Sequence, residues 1–258
     1  MPTYQEWIRE IDINIDYFSA FIKAWIAFNA WYRHEFPDLH NDRKVIEAIK
    51  TTTNHFKGNI ETLLDKTNGH EDAIRFRENL DKLQQTLTNT SITTQERGGH
   101  QQQISFSEIA IVNQKTLSDE NYRNTHYRIE RKGEKVTTHI CKKSSETEVY
   151  FHFEQETYDE LALDAHPTFL HLSEQRRMQC KAFYKEICPY VTESILTRDR
   201  ENKIVFIEER AKVSRGIIEV LYLLRCSLMH GEVSPNDHTN EVYKYAYNIL
   251  AAVLKRLA

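Results

Sequence analysis

Arg225 and His230 are the side chains of this chain best suited to chemistry, and Gly231 follows them directly. Arginine keeps its charge at any physiological pH and donates paired hydrogen bonds to phosphate oxygens. Histidine accepts and returns a proton near neutral pH. The pair therefore predicts phosphate chemistry, with a cation for the phosphate and an imidazole for proton transfer.

The end of a long helix is expected to carry this pair. Gly231 is the residue type that commonly ends a helix, and Pro235 soon after it prevents continuation. Arg225 lies at the margin of the apolar stripe, where an unpaired charge would be costly. Two interpretations stay open. The pair acts on phosphate, or Arg225 pairs with an internal carboxylate or carbonyl while His230 caps the helix end.

A similar spacing occurs elsewhere in the chain. Arg33 and His40 are also separated by a few residues, but Pro37 lies between them. Only the segment from Arg225 to His230 has a long amphipathic helix before it, a glycine directly after it and a final helix able to fold back across the same end. Context, rather than spacing, therefore favours Arg225 and His230 over Arg33 and His40.

Four further residues are expected to support the pair. Asn29 interrupts an apolar seam of the first helix, and Tyr32 follows one turn later. A buried amide needs hydrogen-bond partners, so Asn29 serves to satisfy a helix end, to orient Arg225 or to contact a substrate. Cys226 and Ser227, which lie beside Arg225 in sequence, complete the set.

Apolar periodicity predicts a chain built mainly from helices. A capping box at Thr3 and Glu6 begins a first helix of about thirty residues that ends before Pro37. Turns are expected at residues 57–59 and 68–69 and a polar loop over residues 88–103. Five further helices are predicted over residues 41–56, 70–88, 173–188, 208–230 and 236–257.

Between these helices the pattern changes to short β-type runs. Strands over residues 126–131, 136–141 and 148–153 are predicted to form an antiparallel meander, and residues 104–112 fit either a strand or a short helix. The predicted fold is one domain over residues 1–258, a mainly α helical bundle. Its core helices lie at about 3–90 and 172–258, and its small β-rich insertion at about 104–155.

Composition excludes several classes of protein. The net charge of −4 in 258 residues argues against non-specific coating of nucleic acid. No run approaches the roughly 18 apolar residues of a membrane helix and no signal pattern opens the chain, so a cytoplasmic location without membrane attachment is expected. Four scattered cysteines favour reduced thiols, and 12 histidines form no metal-binding motif. No metal or cofactor is predicted.

Two segments carry a resemblance to a known family. Residues 224–231 (LRCSLMHG), together with residues 25–32 (WIAFNAWY), resemble the HEPN superfamily of small α-helical, often RNA-cleaving domains. The resemblance covers the two ends of the chain, whereas residues 90–170 match nothing in the family. Cys226 stands where HEPN motifs commonly carry a polar residue, often asparagine. The resemblance implies a HEPN-like helical bundle.

It also implies a metal-independent endoribonuclease with Arg225 and His230 as the catalytic pair. Cleavage by the RNA 2′-hydroxyl needs a base at that hydroxyl, an acid at the leaving oxygen and positive charge at the phosphate. One histidine cannot easily reach both reacting oxygens, which predicts a homodimer with two such pairs at one phosphate. HEPN proteins often act as toxins or antiphage effectors, so an antitoxin or regulatory protein is an expected partner.

A basic stretch offers a further contact with RNA. Residues 122–143 carry seven lysines and arginines against two glutamates, and Arg128, Arg131, Lys132 and Lys135 are the candidate contacts. The alternative is a charged, solvated edge of the sheet. For the whole chain, the alternative hypothesis is a catalytically inactive module that binds a protein partner, a nucleotide or RNA.

Overall fold

Two compact units make up residues 16–95 and 101–257, which are the residues that the computed structural model describes. The second unit spans residues 110–192, and the first contains the described residues on either side of it. The predicted capping box at Thr3 and Glu6, with the start of the first predicted helix, lies outside the described residues.

The described residues contain nine helices and ten strands. The helices are α1 (Tyr17–Glu35), α2 (Asp42–Thr51), α3 (His55–Leu64), α4 (Glu71–Asn89), α5 (Glu160–Ala165), α6 (Pro167–Leu170), α7 (Glu174–Glu186), α8 (Arg210–Met229) and α9 (Asp237–Leu254). The strands are β1 (Thr93–Gln95), β2 (Gln101–Gln103), β3 (Ile109–Val112), β4 (Leu117–Tyr122), β5 (Thr125–Lys132), β6 (Lys135–Lys142), β7 (Ser145–Gln155), β8 (Tyr190–Glu193), β9 (Leu196–Arg198) and β10 (Ile204–Phe206). Among the described helices, none is long and apolar enough to cross a membrane.

The strands form four separate sheets within the described residues. Strands β4, β5, β6 and β7 pair in that order as an antiparallel sheet, and β1 with β2, β3 with β8 and β9 with β10 form two-stranded sheets. The chain is therefore mixed α/β, and the predicted mainly α, HEPN-like helical bundle with a small β-meander is wrong. Strands β1, β2, β9 and β10 have three residues each, too few for a periodicity that the sequence could reveal.

The predicted meander has a fourth strand, β4, at its edge. Strands β5, β6 and β7 cover the three predicted segments and confirm them. Strand β4 has the polar sequence LSDENY, in which only Ser118 is buried. The alternation of apolar and polar residues that identifies a half-buried strand is therefore missing. Residues 109–112, where strand and helix were equally compatible, form β3.

One predicted helix is divided into two. The helix predicted over residues 41–56 ends at Thr51, and α3 begins after Asn54, whose side chain accepts a hydrogen bond from the Lys57 amide at 2.9 Å. The turn predicted at residues 57–59 is wrong because this N-cap starts a new helix there. Helices α5 and α6 have no counterpart among the predicted helices, since six and four residues are too few for a helical pattern.

Aromatic side chains build the core of the first unit. Phe21 of α1 lies 5.4 Å, ring to ring, from Tyr243 of α9, and Phe28 lies 4.3 Å from Phe56 of α3. The buried Tyr243 hydroxyl donates a hydrogen bond to the Leu224 carbonyl of α8 at 2.8 Å. These contacts fix α1, α8 and α9 against one another through the apolar surface that they bury.

The second unit has a core of its own. Tyr127 and Phe151 from one face of the four-stranded sheet belong to one buried cluster with Tyr184 of α7. Helix α7 contacts β4 and β5. Because helices cover one face of this sheet, the unit extends to residue 192, beyond the β-rich segment predicted at about 104–155.

Candidate functional site

Helix α8 ends at the residues that the sequence singles out. Gly231 has φ = +68°, its amide donates to the Leu228 carbonyl at 3.2 Å, and the Glu232 amide donates to the Ser227 carbonyl at 2.9 Å. This is the Schellman arrangement, which satisfies carbonyls that a helix end otherwise leaves unpaired. The predicted helix end is confirmed, and His230 is the residue that caps it.

The imidazole of His230 is exposed at this helix end. Its backbone amide donates to the Cys226 carbonyl at 3.0 Å, which holds the residue in the last turn. Within the described residues its side chain makes no hydrogen bond or ion pair. The ring is therefore open to a ligand and to water.

Arg225 has a carboxylate partner. Its Nη2 atom lies 3.4 Å from Oδ2 of Asp42, the first residue of α2. The same carboxylate accepts hydrogen bonds at Oδ1 from Arg33 Nη2 at 3.0 Å and from the Tyr32 hydroxyl at 3.1 Å. We call Tyr32, Arg33, Asp42 and Arg225 the Asp42 cluster.

The Asp42 cluster carries an excess of positive charge, and its three charged side chains are accessible to water, whereas Tyr32 is fully buried. The exposed fractions of the side chains are 46% for Arg33, 27% for Asp42 and 21% for Arg225. Burial, then the charge and the hydrogen bond of Asp42, raise the pKa of Tyr32 to about 12, so its hydroxyl is neutral at physiological pH. Two guanidinium groups against one carboxylate leave a net charge of +1.

Helix geometry separates Arg225 from His230 along one chain. Five positions correspond to about 7.5 Å along the helix axis and about 140° around it. The two side chains therefore leave α8 on different faces. A single helix does not bring both groups to one phosphate by backbone geometry alone.

The supporting residues have different surroundings. Asn29 is half-buried, and among the described residues it makes no side-chain hydrogen bond, so it does not orient Arg225 here. Ser227 is buried and donates to the Thr93 carbonyl of β1 at 3.0 Å, which is a structural contact. Cys226 lies near Tyr222. Burial, followed by the interactions with Cys226, raises the pKa of the Tyr222 hydroxyl.

Arg131 of the basic stretch is held by the backbone of its own unit. Its Nε donates to the Ile187 carbonyl and its Nη2 to the Asn113 carbonyl, each at 2.9 Å. Ile187 follows the last residue of α7, so this guanidinium binds the carbonyl end of a helix, which favours a cation. A role in RNA binding stays a prediction, and these contacts point to a structural one.

The other candidate RNA contacts are paired with carboxylates. Arg128 lies 2.9 Å from Asp119 and Lys132 lies 3.1 Å from Glu130. Lys135 lies 3.1 Å from Glu156. With exposed fractions of 79% for Lys132 and 69% for Lys135, these pairs are held loosely. The pattern fits a charged, solvated surface, although not the predicted alternative of a sheet edge, because β5 and β6 are the two inner strands of the sheet.

Sequence reasoning missed a second group of charges where α2 meets α8. Glu219 accepts from Arg43 at 2.6 Å and from Lys50 at 2.7 Å, and Glu47 lies 2.7 Å from Arg43 and 2.9 Å from Lys50. We call these four residues the buried ion network, since the side chains of Lys50 and Glu219 are 2% and 1% exposed. A glutamate among the apolar residues of α8 was the available signal.

A cleft lies at the other end of α8, and the described residues contain no candidate metal site. A cleft of about 530 Å³ is lined by residues that include Asp81, Phe206, Arg210 and Val213. Arg210 and Val213 belong to the first turn of α8, at the opposite end from Arg225. No group of three or more His, Cys, Asp or Glu side chains within the described residues could hold a metal ion.

Comparisons with known proteins add no family to this geometry. Neither a scan against protein-family models nor searches of curated proteins and of solved structures return a match to this chain.

Proposed function

We propose that this chain is a metal-independent endoribonuclease in which Arg225 neutralises charge on the scissile phosphate and His230 transfers a proton at a reacting oxygen. The observation that carries the proposal is the end of α8, where an exposed imidazole follows a guanidinium that shares one carboxylate with a second guanidinium. Excess positive charge near an exposed base suits the transition state of phosphodiester cleavage.

The proposed enzyme acts as a homodimer. In one chain, Arg225 and His230 leave α8 on different faces, and one imidazole cannot serve both the attacking and the leaving oxygen. A two-fold axis near the α8 ends would bring two such pairs to one phosphate. RNA is the proposed substrate and the cytoplasm the proposed location. The same proposal includes a role as toxin or antiphage effector, restrained by an antitoxin or regulatory protein.

Cleavage of RNA by purified protein in the presence of EDTA tests the proposal. His230→Ala is expected to lower the cleavage rate about 100-fold or more, because proton transfer by a positioned side chain contributes at least that much. Arg225→Gln is expected to lower the rate by a similar factor, since it removes charge that stabilises the transition state. The products are expected to end in 2′,3′-cyclic phosphates.

Two controls make this test specific. His238→Ala removes an exposed histidine of α9 and is expected to leave cleavage unchanged. An RNA with a single 2′-deoxy nucleotide at the cleavage site is expected to resist cleavage there, because the attacking hydroxyl is missing. Equal rates for wild type, His230→Ala and Arg225→Gln would refute the proposed mechanism.

The ion pair between Arg225 and Asp42 favours a second candidate, a catalytically inactive binding module. A guanidinium that only neutralises a neighbouring carboxylate has a structural role. Cys226, in place of the polar residue common in HEPN motifs, agrees with this alternative. RNA binding without cleavage, unchanged in His230→Ala, would favour it over the nuclease.

A further inference from the structure

One carboxylate, Asp42, receives guanidinium groups from two different helices. Arg33 comes from the end of α1 and Arg225 from the last two turns of α8. We propose that Arg33 and Arg225 together form a binding site for a phosphodiester of RNA, and that the Asp42 side chain occupies this site when no RNA is bound. The inference rests on the proposed function, because it assigns a second cation and an internal competitor to the same site.

The donors around Asp42 match an anion with two terminal oxygens. Arg33 donates to Oδ1 and Arg225 approaches Oδ2, so each guanidinium addresses a different oxygen. Guanidinium groups bind carboxylates and phosphates through the same parallel N–H donors. The neutral Tyr32 hydroxyl supplies a third donor at Oδ1. A phosphodiester presents two such oxygens to the two accessible guanidinium groups, whereas Tyr32 is fully buried beneath the carboxylate.

The contacts of Asp42 are exchangeable. All three charged side chains are more than one fifth exposed, and ion pairs of this kind contribute little to stability. The Arg225 contact of 3.4 Å is longer than the 2.7–2.9 Å usual for a hydrogen bond between charged groups. Each guanidinium has five N–H donors, and Asp42 uses a minority of them. A stronger or multivalent anion can therefore displace the carboxylate.

Charge gives the direction of this exchange. With Asp42 turned away, the two guanidinium groups present a charge of +2 to a phosphate. With Asp42 in place, the net charge of the site is +1. The carboxylate therefore weakens RNA binding, and removing its charge is expected to strengthen it. Arg33, which the sequence pattern of the Arg225 segment does not include, is expected to contribute as a direct phosphate contact.

Fluorescence anisotropy with a labelled 2′-O-methyl RNA of about 12 nucleotides tests the inference, because this probe keeps the phosphodiesters and lacks the attacking hydroxyl. Asp42→Asn is expected to bind about five- to tenfold more tightly than wild type. Arg33→Gln is expected to bind at least about fivefold more weakly, with the salt dependence of log Kd reduced by about one. In the double variant, the gain from Asp42→Asn is expected to shrink.

Arg215→Gln is the matched control. Arg215 is a half-buried arginine of α8 whose Nε donates to the Ala211 carbonyl, outside the Asp42 cluster. Its loss is expected to change affinity less than about twofold. Circular dichroism melts of all variants establish that each one folds. The inference is overturned if Arg33→Gln behaves like Arg215→Gln, or if folded Asp42→Asn binds no more tightly than wild type.

The outcome also separates this inference from the proposed nuclease. If the Arg33 and Asp42 variants shift binding as expected while wild type cleaves no RNA, the phosphate site stands and the nuclease fails. If cleavage depends on His230 but these variants leave binding unchanged, the nuclease stands and the two-guanidinium site fails.

Discussion

Helices α2 and α8 bring charges together at two places, the buried ion network and the Asp42 cluster. The two groups differ in how far water and other ions can reach their carboxylates. In the buried ion network, contacts of 2.6–2.9 Å join Lys50 and Glu219, which are 2% and 1% exposed, to Arg43 and Glu47, which are 25% and 16% exposed. In the Asp42 cluster, the charged side chains are 21–46% exposed. On α8, Glu219 of the network lies in the middle of the helix, whereas Arg225 of the cluster lies in its last two turns. The Glu219 carboxylate of the network is almost fully buried, whereas Asp42 is 27% exposed, as the proposed exchange for a phosphate requires.

The physical reason is the cost of removing charge from water. Inside a protein an ion without its partner is strongly unfavourable, so a buried pair remains closed once it is formed. At the surface, water and salt compensate most of a lost partner. The same kinds of side chain therefore hold two helices together in one place and remain available for binding in the other.

Removing one charge from each group is expected to change stability by very different amounts. Lys50→Met is expected to lower the free energy of unfolding by about 2–3 kcal/mol, because it removes one of the two cations that neutralise the buried Glu219 carboxylate and leaves only Arg43, at 2.6 Å. Arg33→Gln is expected to lower it by less than about 1 kcal/mol. Urea denaturation of both variants measures the difference.

Lys57→Met controls for the loss of a lysine in the same unit. Lys57 lies 4.0 Å from Glu61 on α3, and its removal is expected to cost less than about 1 kcal/mol. If Lys50→Met and Arg33→Gln destabilise the protein equally, burial does not separate the two groups, and the Asp42 cluster is no more exchangeable than the buried ion network.

The sequence predicted Tyr32 and Arg225 as site residues of the Asp42 cluster and missed Arg33 and Asp42. Gly231 and Pro235 predicted the end of α8, because each has a local backbone preference that acts within a few residues. Asp42 gave no such signal. It lies 183 residues from Arg225, and a pairing over that separation is set by how α2 packs on α8.

The same limit explains the error in fold class. Helices α8 and α9 have enough turns for an apolar stripe to be recognised, and both are confirmed with ends a few residues from those predicted. Strands of three residues have no measurable period, and the edge strand β4 buries only Ser118. Local patterns identified the long elements, whereas two of the short sheets are local pairs of three-residue strands and the third pairs β3 with β8 across the second unit's sequence.

Tyr32 reports whether Asp42 occupies the cluster. Burial is the largest cause of its pKa of about 12, and the charge and hydrogen bond of Asp42 follow. Asp42→Asn is therefore expected to lower the pKa of Tyr32 while leaving it above the ordinary value of about 10. NMR titration of ¹³C-labelled tyrosine, with Tyr32→Phe for assignment, measures the change.

The sign of the effect on stability follows from linkage. A folded-state pKa above the unfolded value means that the fold favours the neutral phenol, so this contribution is complete below about pH 10 and is lost as pH rises through about 12. Between these values, wild type is expected to lose more stability than Asp42→Asn. Identical tyrosine titrations in the two proteins would show that the carboxylate is not at the Tyr32 hydroxyl.

A pair of glycines tests the smallest effect, the dependence of His230 on its helix end. A Cβ added at Gly231 or at Gly58 would meet no atom within 4 Å, so neither substitution is opposed by packing. Gly231 has φ = +68°, and Gly231→Ala is expected to cost about 1 kcal/mol. Gly58 lies within α3, where alanine is expected to stabilise by about 0.5–1 kcal/mol.

Because both sites have open space, the difference between the two variants isolates the backbone conformation at Gly231. Thermal melts are expected to move in opposite directions. RNA cleavage is expected to fall in Gly231→Ala alone, since a strained cap displaces the imidazole that follows Met229. If Gly231→Ala loses stability yet cleaves like wild type, the helix end does not position His230. The imidazole would then reach the phosphate by rotation of its own side chain. The end of α8 would serve only to place Arg225 in the Asp42 cluster.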